Sequence, residues 1–226
     1  MINSLKTYIR RSIPAAGCFV TGKHLQQKVR NDGTLLPYYG NTVVYRLDRD
    51  SRAQLRLLQD SLYACAPELL AQPLDADTFH MTVHDLVNGP MRTVALQIRM
   101  AGTEEQAFSV LKEVCPAKAL RMKTTWMFNM VNTSIVLGLE PADSESYEAL
   151  DRMYLALEEV VPLGYDLTPH ITLAYFKPGV YDAGQMDRLR QALKPVELEI
   201  LLRPENLEVQ FFRDMNTYET RKPLFL

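Results

Sequence analysis

The chain has 226 residues, 47% of them apolar and 23% charged, which excludes both a disordered segment and a small disulfide scaffold. Its 25 lysines and arginines against 27 acids give a formal charge of -2, so a small anionic substrate fits better than long nucleic acid. Three cysteines, Cys18, Cys65 and Cys115, without a CxxC exclude a cysteine zinc module and point to a reducing, cytoplasmic setting, and no apolar run approaches the roughly 20 residues of a membrane helix.

Residues 1–31 carry Lys6, Arg10, Arg11, Lys23, Lys28 and Arg30 and no acid. Cleavable transit peptides share that composition. The expectation here is a basic N-terminal arm over 1–34 lying on the core, with a phosphate-attracting rim as the alternative.

Beyond the arm the chain repeats itself. Asn41-Thr42-Val43-Val44 opens a strand-like run, and Asn132-Thr133-Ser134-Ile135-Val136 opens another about ninety positions later. Each run meets N-capping residues, Asp50-Ser51 and Asp143-Ser144. A helix then follows in each copy, its stripe reading Leu55, Leu58, Leu62, Cys65, Leu69 and Tyr147, Leu150, Tyr154, Leu157, Val161. The two stripes superpose at a constant offset of 92. Short strands come next, 78–84 and 169–175. Further helices are predicted near Glu104–Val114 and Ala183–Leu193, and further strands at Leu120–Met130, Val196–Leu202 and Leu207–Phe212. The pattern predicts an α+β fold: one bilobal, duplicated domain over 35–226, its lobes roughly 35–130 and 131–226 with some strand exchange. Two small antiparallel sheets should face a central cleft with helices outside.

The chemistry concentrates in a tetrad that recurs at equivalent places, His80-Met81-Thr82-Val83 and His170-Ile171-Thr172-Leu173. On a strand, His and Thr two apart share a face about 6.6 Å from each other, while Met81 and Ile171 point into the core. Two such pairs across a cleft supply a base, an acid and two anion donors, which suits in-line cleavage of a phosphodiester without a metal. Period-2 alternation puts His84 on the same face as a cleft-edge contact or an exposed strand residue, about 13 Å from His80 and too far to share a metal ion with it. Tyr38 and Tyr39 are exposed-loop candidates for stacking a base. Tyr175, five on from His170, should share no face with it. Arg121 and Lys123 alternate on one strand face, where they would meet a terminal phosphate or stand in solvent.

The two tetrads, their spacing and the lobe repeat resemble the two-histidine (2H) phosphoesterase superfamily over about residues 35–215. Its members include bacterial RNA ligase or phosphodiesterase proteins and the cyclic phosphodiesterases that open 2′,3′-cyclic phosphates. The resemblance implies a bilobal, metal-independent enzyme with no cofactor, in which His80 and His170 are catalytic and Thr82 and Thr172 bind phosphate. It does not specify which histidine is acid and which is base. The stretch Asp32 to Val44, together with Phe79-His80-Met81-Thr82-Val83, looks like a branch of that superfamily for which the resemblance supplies no substrate. The expected activity is that of a phosphodiesterase on a small nucleotide or RNA end, bearing a 2′,3′-cyclic phosphate or a 2′-linked phosphodiester. RNA-end ligation by the same chemistry and a non-catalytic nucleotide-binding module are the alternatives, and no membrane partner is expected.

Overall fold

The computed structural model describes residues 2–3 and 17–223, so Lys6, Arg10 and Arg11 of the expected basic arm lie outside the described residues. In chain order the first elements are β1 (Phe19–Val20), β2 (Tyr39–Arg46), α1 (Arg49–Cys65), β3 (His80–Gly89) and α2 (Val94–Val114). Next come β4 (Leu120–Met130), β5 (Ser134–Pro141), α3 (Ser144–Glu158), β6 (His170–Tyr175) and β7 (Val180–Tyr181). The chain closes with α4 (Ala183–Ala192), β8 (Glu199–Leu202), β9 (Leu207–Asp214) and β10 (Thr217–Pro223).

Local chemistry sets the helix starts. Asp48, not Asp50, caps α1 by accepting from Ser51 N at 2.8 Å, while Asp143 caps α3 through Ser146 N at 2.8 Å as expected. Helix α2 begins ten residues before the expected Glu104, because Thr93 accepts from Leu96 N and caps it there. Its first turns were illegible because Val94 and Ile98 are exposed apolar residues that blur the stripe. Leu55, Leu62, Leu150, Tyr154 and Leu157 are buried as the stripes predict, but Cys65 is exposed and Tyr147 is 40% exposed. Both outliers sit in the terminal turns of their helices. The inner position of α1 that the stripe skipped is Gln59, fully buried.

The fold is α+β and its sheets are antiparallel. Eight strands run in the order β10-β9-β2-β3-β6-β5-β4-β8, and β1 pairs separately with β7. The two expected small sheets are the four-strand halves of that order, continuous through one residue pair, Met81 opposite Ile171. Strands are exchanged along the chain: β8 pairs with β4, whereas β9 and β10 return to complete the half that holds β2 and β3. The helices cross over too, α1 packing behind β6 and α3 behind β3. The strand that bears His170 is thus backed by a helix of the other half, while α2 and α3 both pack against the strand that bears His80. Among the described residues no helix is long and apolar enough to cross a membrane.

Candidate active site

Strands β3 and β6 lie side by side at the centre of the sheet, and the Met81–Ile171 pairing makes them antiparallel neighbours. Carried one residue either way, that register sets His80 across from Thr172 and Thr82 across from His170, with cross-strand Cβ atoms about 5 Å apart. Met81, Val83, Ile171 and Leu173 point back into the core and are fully buried. His80, Thr82, His170 and Thr172 all line one cavity of about 200 Å³ on the opposite face.

At the last residue of each tetrad the strand gains a residue. Val43 faces His84 and Val44 faces Thr82, leaving Val83 without a partner in β2. In the other half Ile135 faces Ala174 and Val136 faces Thr172, leaving Leu173 without one in β5. A bulge of this kind inverts the alternation beyond it. The burial sequence of the six residues is the same in both strands: the tetrad's His and Thr and the residue three beyond the Thr are half-buried, and the other three are buried. The third cavity-facing residues are thus Asp85 and Tyr175, both of which line the cavity. Gln59 Nε2 donates to the Leu173 carbonyl at 2.9 Å, satisfying the bulge from behind.

This geometry corrects two expectations. Tyr175 does share the face of His170. His84, expected toward the cleft or in solvent, is 1% exposed on the helix side, where its Nε2 lies 3.0 Å from Glu158 Oε1 of α3 and its ring is 5.3 Å from Tyr154. The residue that takes the place intended for His84 is Asp85. No glycine or proline marks either bulge, but aligning the two copies at an offset of 90 would have paired Asp85 with Tyr175.

The two catalytic candidates share one local device. His80 Nδ1 lies 2.7 Å from the Thr78 carbonyl, and His170 Nδ1 lies 2.6 Å from the Thr168 carbonyl. A carbonyl only accepts, so each Nδ1 carries a proton and each Nε2 is left for the cavity. Burial pushes both imidazoles below their ordinary range; the carbonyl bonds and the Asp85 carboxylate pull the other way, and for His80 the charge of His170 adds to the depression. The Tyr218 ring meets His80 edge-on with centroids 5.0 Å apart.

The remaining wall comes from residues the tetrads do not announce. Thr42 of β2 and Ser134 of β5 hold matching positions, opposite Asp85 and Tyr175 respectively, and line the cavity with Phe212, Met215 and Lys28. Gly40 is obligatory beside that wall: a Cβ there would meet Phe212 Cζ at 2.4 Å and the Val87 carbonyl at 2.6 Å.

The other candidate contacts lie elsewhere. Tyr38 is buried, stacked on Phe212 at 6.2 Å, with its hydroxyl donating to Asn88 at 2.7 Å, so it is a supporting wall and not an exposed stacking platform. Tyr39 packs with Phe211 and Met100 beside a separate depression. Arg121 and Lys123 are on β4 outside the cavity lining. Arg121 pairs with Glu199 at 2.8 Å and Asp143 at 3.6 Å, and Lys123 stands between Glu140 and Glu199 in register. That strand face is a solvated charge lattice. No three His, Cys, Asp or Glu side chains among the described residues converge as metal ligands.

No protein-family model and no curated protein matches the sequence. Solved structures do. A conserved protein of unknown function from Agrobacterium tumefaciens superposes with a TM-score of 0.64 over 91% of this chain and 94% of its own, at 18% identity. A protein described as a phosphoesterase gives 0.53 over 82% and 96%, at 15% identity. The chain shares the fold of these structures. More particularly, Escherichia coli LigT complexed with 3′-AMP superposes with a TM-score of 0.54 over 82% of this chain and 96% of its own, at 14% identity. At such identities the likeness establishes the fold alone.

Proposed function

We propose that the protein is a metal-independent phosphodiesterase of the two-histidine type, acting on a small nucleotide or RNA end. The observation that carries this reading is the pairing of two identical devices in one cavity: an imidazole with its Nδ1 held by the carbonyl two residues earlier, and a hydroxyl two residues later on the same face. One neutral imidazole takes a proton from water or a ribose hydroxyl, and the other, protonated, gives one to the leaving oxygen. Thr82 and Thr172 donate to the two nonbridging oxygens, where charge develops.

Their neighbouring positive charges oppose one another, so the pair holds one proton far more readily than two. The singly protonated pair is the working acid–base state. A cavity of about 200 Å³ is below the usual size for a whole drug-like ligand and suits a phosphate with its sugar, leaving the base outside. LigT, of the same fold, takes 3′-AMP, a ligand of that kind. The substrate we favour is a nucleoside 2′,3′-cyclic phosphate or a 2′-linked diester.

The test is turnover of a panel of nucleoside 2′,3′-cyclic phosphates and 2′,5′-linked dinucleotides in excess EDTA, by wild type and by the two histidine variants. Turnover that survives EDTA and falls in both variants is the expected result. Absence of turnover across the panel, or turnover lost on chelation and restored by Mg²⁺, sinks the reading.

A further inference from the structure

Lys28 comes from the N-terminal segment, far in sequence from either tetrad, yet it lines the same cavity. Its backbone is pinned: Lys28 N donates to Leu25 O at 2.9 Å, its carbonyl accepts from Leu36 N at 2.8 Å, and the flanking Leu25 and Val29 are buried. The segment before it is clasped to the other half through β1 and β7, Gly22 N donating to Asn132 O at 2.8 Å and Phe19 packing on Phe176 at 5.0 Å. The ammonium sits over the Tyr38 ring at 4.9 Å and the Tyr175 ring at 5.9 Å. Among the described residues no carboxylate lies within 4 Å of it.

Aromatic faces hold a cation in place without neutralising it. Burial would lower the pKa of Lys28, but Tyr175, Asp85 and Tyr38 more than offset that and keep the amine protonated. A half-buried, preorganised ammonium that has no carboxylate in contact among the described residues keeps its charge available to an anionic group of a ligand. On the reading above, both nonbridging oxygens of the scissile phosphate are taken by Thr82 and Thr172. Lys28 lies by Tyr175, which with the bulge discounted stands about two strand positions, roughly 6.6 Å, beyond Thr172.

We infer that Lys28 reads a second anionic group of the substrate, a phosphate about one sugar away from the scissile one, so that the preferred substrate is a nucleotide with two separate phosphates. The inference rests on the phosphodiesterase reading only for the place of the scissile phosphate. Lys28 is then a specificity-determining residue, and its effect appears as a ratio between two ligands.

The experiment is calorimetric binding of 3′-AMP and of adenosine 3′,5′-bisphosphate at low salt to wild type, Lys28→Met and Lys28→Arg. Wild type should bind the bisphosphate about tenfold or more tightly, the scale of one charge-assisted contact. Lys28→Met, which keeps the stem packed on the tyrosines, should bring the ratio to about one, and Lys28→Arg should preserve most of it. No preference in wild type, or equal weakening of both ligands by Lys28→Met, overturns the inference. Should Lys28→Met fail to fold, the wild-type ratio and the arginine variant decide it. Bisphosphate preference without turnover of any cyclic phosphate removes the hydrolase reading and leaves this one. Turnover without the preference does the reverse.

Discussion

Strands β3 and β6 are two versions of one object. They share the histidine, the threonine, the Nδ1–carbonyl bond and the bulge, and they differ at the residue the bulge turns into the cavity and at the one behind it. The first strand has Asp85 in the cavity and His84 bonded to Glu158; the second has Tyr175 in the cavity and Ala174 behind it. On the proposed reading, what is common to both strands supplies the acid–base and anion-binding groups. What differs makes the cavity asymmetric, with a carboxylate from one strand and an aromatic beside the Lys28 ammonium from the other.

Breaking what the strands share should have the largest effect. His80→Ala and His170→Ala should each lower kcat/KM about 10²- to 10⁴-fold, and a substrate with an activated leaving group should rescue only the variant that lost the acid. Rescue of both or of neither, with the fold intact, would show that the histidines do not divide the roles. Thr82→Val and Thr172→Val keep the branched shape of the strand and remove one donor each, at a cost of about 10²- to 10³-fold in kcat. Values within about twofold of wild type would reduce the threonines to strand formers.

Effects of the differing residues should be smaller and distinct in kind. Both imidazoles are depressed by burial, so the bell of kcat/KM against pH should centre below the ordinary imidazole value near 6.5. The Asp85 carboxylate raises both, so Asp85→Asn should move both limbs to still lower pH, whereas Tyr175→Phe should leave their positions alone. A bell that moves upward in Asp85→Asn contradicts the assignment. His84→Ala should destabilise the fold by about 1–3 kcal/mol, because Glu158 loses its buried partner, and should cost less than a few-fold in kcat. Denaturant unfolding and turnover measured on the same sample separate those outcomes.

The sequence carried the tetrads, the lobe repeat and most of the strand positions, because His, Thr and the buried residues between them obey a period of two. It misplaced His84 and Tyr175 for one reason: a bulge leaves no compositional mark when the inserted residue is an ordinary Val83 or Leu173 that packs like its neighbours. Asp85 was hidden by the same slip. Lys28 and Tyr218 reach the cavity through long-range packing, which no local pattern encodes. Strand β10 escaped notice because Tyr218-Glu219-Thr220-Arg221 reads as a polar segment, as a sheet edge often does.

The exchange of strands along the chain has a consequence for how the protein is made. The half of the sheet that holds His80 is completed by β9 and β10, which leave the ribosome after β1 to β8. Until then β2 is an open edge some 170 residues short of its partner in sequence, since Asn41 pairs with Phe211. Closing so long a loop is slow, and the first half stays exposed to mispairing during synthesis. Truncation near residue 200 would remove no residue of either tetrad, yet it would leave the His80 half without its outer strands.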